Sequence, residues 1–278
     1  MKKKTNYIIR LFFLFFVVFT INAQDSLKVN TSRVNKGDFY VYWGWNLSRY
    51  GKSDISFKGE NYDFTLDNVT AYDRQSDFEP GKYLNPTSIT IPQYNFKLGY
   101  FIKEHYSISI GIDHMKYVVA ENQTVTINGE INNTNSLYNG VYNDDSIVLD
   151  PSFLTFEHTD GLNYINVGFR RHDNLFHYKS FELNTVFGLE TGLLFPKTNA
   201  RLLDQKRYDD FHISGYGVNT VGGIQLTFFK YFFVQSELKG GYINMPDIRT
   251  TMNEVDSASQ SFWFYQVNMV FGVRFKIF

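Results

Sequence analysis

The sequence predicts an all-β fold: an eight-stranded antiparallel up-and-down barrel that crosses a membrane with strands. Three observations lead there. Aromatic residues make up 18% of the 278 residues, with 28 Phe and 20 Tyr, a high share for a water-soluble domain. From Asp38 onward, runs of alternating apolar and polar residues recur, the period that sends successive side chains to opposite faces of a strand. The segments joining these runs alternate between short and long, as the turns and loops of an outer-membrane barrel do.

The chain opens with Lys2, Lys3, Lys4 and Arg10 ahead of the apolar run Leu11 to Phe19, with Ala23 before a cut, which reads as a secretory signal over residues 1–23. That apolar run is about half of the roughly 20 residues a spanning helix needs. Residues 24–37 then form a short periplasmic leader and residues 38–278 the barrel. The residue after the cut is Gln24, so no cysteine is available for acylation. Cysteine is absent altogether, which excludes disulfides and thiolate metal sites. Loss of the signal leaves 23 basic against 28 acidic residues, a net charge of −5, the wrong balance for a nucleic-acid partner.

Eight strands follow in order. Asp38–Tyr50 sets Phe39, Val41, Trp43, Trp45 and Leu47 against Tyr40, Tyr42, Gly44, Asn46 and Ser48. Pro92–Ile102 and Tyr106–Tyr117 oppose Phe96, Leu98 and Ile108, Ile110, Ile112 to Asn95, Lys97 and Ser107, Ser109, Asp113. Gly161–Arg171 and Ser180–Leu194 repeat the pattern with Ile165, Val167 and Phe187, Leu189 against Asn166, Arg170 and Glu182, Glu190. His212–Phe229, Tyr231–Ile243 and Phe262–Phe278 complete the set. Short turns at Lys103–His105, His172–Lys179 and Phe229–Tyr231 alternate with long connections at Gly51–Ile91, Val118–Asp160, Phe195–Phe211 and Asn244–Ser261, so both termini are expected in the periplasm. Ile55–Arg74 alternates in part. An odd strand count would put the termini on opposite sides, so this stretch is read as a hairpin or lid in the first outer loop.

A secreted lipocalin-like barrel, apolar inside and polar outside, is the structural rival. The polar rows argue against it. They carry mostly Ser, Asn, Gln and Gly, where a water-facing row would be crowded with Lys and Glu. Each strand also places a glycine in its polar row: Gly44, Gly99, Gly111, Gly168, Gly188, Gly223, Gly241 and Gly272. In a narrow barrel these relieve crowding where larger groups must fit. The charges of those rows are Lys97, Arg170, Lys239 and Arg274 against Asp113, Glu182, Glu190 and Glu237. Isolated buried charges are expensive, so this balanced set is expected to pair and plug the lumen. A proton or ion path is the alternative reading.

On these features the mature chain resembles the small outer-membrane barrels of the OmpA-transmembrane or OmpX type. The terminal Phe278 looks like the aromatic end residue by which such chains are recognised, although the apolar alternation falls on Phe271, Val273, Phe275 and Ile277, one residue out of phase. The resemblance implies outer-membrane lipid and lipopolysaccharide as surroundings and the barrel-assembly machinery as a partner during insertion.

Candidate chemistry is sparse. His212-Ile213-Ser214 has the spacing that sets both polar side chains on one strand face, by parity the lipid face, and looks like the His-x-Ser element of lipid A deacylases and outer-membrane phospholipases. His212 would act as base and Ser214 as nucleophile, with a third group to orient the imidazole. That third group is missing from the strand. Only Asp209 and Asp210 lie near, reachable by a loop fold-back. Glu157-His158-Thr159-Asp160 together with Asp113 and His114 is a candidate divalent-metal rim without fixed spacing. Asn143-Asp144-Asp145 and Asp150 lack the glycine and terminal glutamate of a calcium loop. Trp43, Trp45, Trp263, Tyr50 and Tyr100 read as interfacial girdles before a carbohydrate platform. No metal set or cofactor motif is assigned. The favoured function is non-enzymatic: a barrel presenting extracellular loops for envelope integrity, surface interaction, or association with a protein partner or membrane complex. The rival is an acyl-ester hydrolase at His212 and Ser214.

Overall fold

A computed structural model describes residues 36–77, 79–83, 92–205 and 210–277. The signal, most of the leader, Asp209 and Phe278 lie outside them. In chain order the strands are β1 (Asp38–Tyr50), β2 (Ser53–Gly59), β3 (Tyr62–Val69), β4 (Ala71–Tyr72), β5 (Tyr94–Lys103), β6 (Tyr106–Val119) and β7 (Thr124–Ile131). There follow β8 (Gly140–Val148), β9 (Leu154–Tyr178), β10 (Phe181–Leu194), β11 (Asn199–Leu202), β12 (Gly215–Phe228), β13 (Phe232–Arg249) and β14 (Ser257–Lys276). One helical turn, Pro80–Tyr83, interrupts them.

Eight strands close a ring in the order β1-β5-β6-β9-β10-β12-β13-β14, and β14 pairs back onto β1 from Asp38↔Lys276 to Tyr50↔Phe264. Every ladder in the ring is antiparallel. Each of the eight alternating runs of the sequence lands on one ring strand. The wall has no free edge, so its backbone groups pair from strand to strand around the ring, as a lipid environment demands.

The alternation sorts the two faces. Ile110, Val167, Phe187, Leu189 and Leu238 point outward with more than half of each side chain exposed, whereas Lys97, Arg170 and Lys239 point inward with none. An apolar exterior around a charged interior is the arrangement of a transmembrane barrel, and it removes the lipocalin-like alternative. Two glycines show how the narrow interior is filled. A Cβ at Gly99 would overlap the Tyr40 ring, and one at Gly188 would sit 2.7 Å from Cγ of Arg170. Bare backbone at these points is what lets a ring and the aliphatic stem of Arg170 lie against the wall. At the tight-turn end Tyr40, Tyr42, Phe101, Phe233 and Val270 pack into an inward apolar plug.

The turn expected at His172–Lys179 is a strand instead. β9 continues to Tyr178, with His177 opposite Glu182, and reverses at Lys179, which takes a left-handed φ of 53°. A bulge beside Leu183/Asn184 absorbs the irregular spacing that made this stretch look like a loop.

At the other end the long connections fold. β2 and β3 form a hairpin, β7 and β8 a second, and the two join as β2-β3-β7-β8 on the projecting end of β14. The 55–74 stretch is thus a cap hairpin, not a ninth wall strand. β11 pairs with the first residues of β9, and β4 with the last of β6. This cap has its own core. Phe57 stacks on Phe64 at 5.3 Å and meets Phe156 edge-on at 5.9 Å, with Leu66, Ile127, Phe153 and Phe262 buried around them. One face each of β2, β3 and β7 supplies it, for the same period-two reason that orders the wall, and β8 adds Ile147.

Candidate functional site

The barrel interior holds a connected set of buried ions. Glu190 on β10 is its hub: it lies 2.5 Å from Nζ of Lys97 on β5, 2.6 Å from the Arg170 guanidinium on β9 and 2.9 Å from Nζ of Lys239 on β13. Arg170 also reaches Glu237 at 2.6 Å, and Lys239 reaches Asp113 on β6 at 2.6 Å. Three cations thus face three carboxylates, and the group is formally neutral. Neutral partners complete its bonding. Asn219 donates to Glu190, Asn268 and Gln235 donate to Glu237, Asn166 accepts from Lys97, and Asn95 donates to Asp113. Tyr42 from β1 donates to Glu237 while its ring lies 5.6 Å beneath the Arg170 guanidinium. A separate pair, Arg274 with Glu182 at 3.2 Å, sits toward the tight turns.

This arrangement follows from the physics of burial. Ions stripped of water persist in a low-dielectric interior only when the remaining lone pairs and protons are taken up by fixed partners. All eight ring strands contribute a polar group, so the bonds cross the lumen and occupy it. What such an interior can do chemically is tie facing strands of the wall together across the lumen.

The structure does not bring His212 and Ser214 into a catalytic pair. The alternation slips just before β12, so that Ile213 is exposed and Ser214 is buried, which overturns the lipid-face placement of the serine. Ser214 Oγ donates to the carbonyl of its own neighbour His212 at 3.5 Å, while Nε2 of His212 faces Asp247 at 2.9 Å. Asp247 is the acid that the strand itself lacked. It comes from β13, inside the register shift between Met245 and Ile248, and nothing in the linear pattern marks it.

The candidate metal rim is likewise dispersed. Asp113 belongs to the lumen network, and His114 bonds Asn163 at 2.8 Å and stacks on Tyr94 at 5.0 Å. Glu157 pairs with Arg74 at 3.0 Å, and Asp160 with Lys197 at 3.2 Å. Among the described residues no three His, Asp or Glu converge. Asp150 caps a turn, accepting from Ser152 and Tyr138, and Asp145 accepts from the Asn143 backbone. Of the aromatic set, Trp263 lies outward, whereas Tyr50 leaves the girdle altogether: its hydroxyl donates to the Lys116 carbonyl, and its ring packs on Tyr117 and Phe262 in the cap.

His158 is the one rim histidine sealed in the cap core. Its ring lies between Tyr117 and Phe156, its Nδ1 is 3.0 Å from Thr198 Oγ1, and burial holds the imidazole down at about 3. An unfolded cap takes up this proton near the ordinary 6.5 and the folded cap does not, so cap stability is complete above that pH and declines as pH falls toward 3. Hydrogen exchange of cap amides is expected to accelerate between neutral pH and about pH 4.5 after correction for the intrinsic rate, and His158→Gln should flatten that dependence. An unchanged slope in the variant would assign it to another group.

No protein-family model and no curated protein matches the sequence. Among solved structures, the chain is similar to the outer membrane protein OprG from Pseudomonas aeruginosa, with 11% identity, a TM-score of 0.37, and coverage of 87% of this chain and 97% of that one. It is also similar to Ail, the attachment invasion locus protein of Yersinia pestis, with 9% identity, a TM-score of 0.30, and coverage of 86% and 99%. The outer membrane protease OmpT from Escherichia coli is matched at 7% identity and a TM-score of 0.24, over 90% and 99%. At such identities the likeness is one of architecture.

Proposed function

We propose that this chain is a non-enzymatic outer-membrane protein whose sealed barrel anchors a folded β-cap at the cell surface, where the cap serves envelope integrity, surface interaction or association with a membrane complex. The observation that carries this reading is the pairing of a lumen crossed by buried ion pairs with outer connections that build a cored extension of the wall. The barrel offers no path, and the cap offers an ordered surface. The apolar exterior supplies the lipid contact, with lipopolysaccharide above it, and insertion falls to the barrel-assembly machinery. The hydrolase reading has no support in the placement of Ser214.

Two measurements test it. The refolded chain in a planar bilayer is expected to show no discrete conductance steps; stable single-channel events would replace the sealed anchor with a pore. A short epitope inserted between Asn132 and Asn139, in the β7–β8 turn, should be labelled on intact cells. Labelling only after permeabilisation would reverse the orientation.

A further inference from the structure

The cap sheet runs β2-β3-β7-β8, and among the described residues β8 pairs with β7 alone, so its far edge is open. Val141 is 78% exposed and Val148 46%, and Asn143, Asp144, Asp145 and Ser146 between them are exposed as well. Leu149, the residue after the strand, bonds toward β7 through both its N–H and its carbonyl. An antiparallel strand alternates the side to which successive residues send these groups, so Ile147 follows Leu149, while Ser146 and Val148 turn theirs outward. The N–H of Asp150 donates to the Val148 carbonyl at 2.9 Å. The Ser146 N–H and carbonyl and the Val148 N–H therefore line the lower half of the edge. The upper half is interrupted, because Asp144 takes a φ of 56° and the Asp145 carboxylate accepts from the Asn143 N–H.

An open row of backbone donors and acceptors is a template for one more strand, and the side chains along it decide which strand is accepted. From Tyr117 to Glu157 the chain carries six acids, Glu121, Glu130, Asp144, Asp145, Asp150 and Glu157, and no Lys or Arg. A second copy of this chain would bring the same acids to the same edge, and like charges on paired strands repel. An extended segment with Lys or Arg at alternate positions meets opposite charge instead. We propose that the open edge of β8 is a docking site for an extended basic segment of another protein, which adds to the cap sheet as a further strand beside Asp145–Val148.

The inference deepens the reading of the cap as a surface for association and rests on it for its biological setting. Binding in micelles does not depend on orientation, so a negative result here leaves the epitope experiment informative. The probe is a fluorescent peptide alternating Lys and Val, titrated to about 1 mM against the refolded chain in a zwitterionic detergent and read by anisotropy. Two controls accompany it, one with Glu in place of Lys and one with N-methyl groups along the backbone. Saturable binding of the Lys peptide is expected, with none of the Glu peptide. The N-methylated form should bind at least about tenfold more weakly, the effect of lost backbone hydrogen bonds. Ser146→Pro removes an outward N–H without touching the β7 ladder and should also weaken binding about tenfold. Asp144→Asn, which tolerates the left-handed backbone, should weaken it about two- to fivefold. Unchanged protease resistance of the β7–β8 hairpin confirms that each variant folds. No binding of the Lys peptide, equal binding of its N-methylated form, or full binding by Ser146→Pro overturns the proposal. So does a disulfide between two chains carrying Val141→Cys in the outer-membrane fraction, which would assign the edge to a second copy.

Discussion

Glu190→Gln is expected to destabilise the refolded barrel by about 3–5 kcal/mol, the cost of leaving buried ions unpaired. Glu190 receives Lys97, Arg170 and Lys239 together, so its neutralisation leaves three cations facing only Asp113 and Glu237. Urea titration of the barrel in lipid vesicles, followed by gel mobility, reads the loss. The informative companion is Glu190→Gln combined with Lys97→Met, which removes one charge of each sign and restores neutrality. That double variant should recover most of the stability. If it is no more stable than Glu190→Gln alone, net charge is not what the network balances, and the individual hydrogen bonds carry the energy instead.

Phe57→Ala is the corresponding experiment on the cap. The ring is fully buried between Phe64 and Phe156, and its removal leaves a cavity of a kind that costs about 3–5 kcal/mol. The loss should fall on the cap. Protease sensitivity across β2, β3, β7 and β8 is expected to rise while the barrel keeps its heat-modifiable mobility and its urea midpoint. A variant whose wall melts together with its cap would show that the two cores form one cooperative unit, and would contradict the division drawn between them.

The contrast between these two regions explains what was legible in the sequence. The wall reads directly because lipid outside and packed polar groups inside constrain every second residue. β1 begins and ends where its alternation does, and the eight inward charges are recoverable by parity alone. The cap obeys the same period, but its evidence is scattered. Val125, Ile127 and Ile131 make a face only when set beside Phe64 and Leu66, some sixty residues earlier in the chain. Gly129 and Asp144, both at positive φ, break the alternation of β7 and β8 locally, so that the stretch looks like a polar loop. The His212 and Ser214 pair misleads for a related reason. Parity carried Ser214 to the wrong face because the phase slips before Gly215, and it hid Asp247 because the bulge after Met245 resets the count. A one-residue irregularity leaves the strand recognisable and reverses the side chain.

β14 pairs with three partners: β13 and β1 along the wall, and β2 above it. Among the described strands it is the last in chain order. The β2-β3-β7-β8 sheet joins the wall through β2 only where Ser257–Gln260 of β14 pair with Ile55–Lys58, although its own strands lie much earlier in the chain. Ring closure and cap anchoring thus share one strand, and both pairings join residues roughly two hundred apart in sequence, a separation whose loop-closure entropy weighs on both.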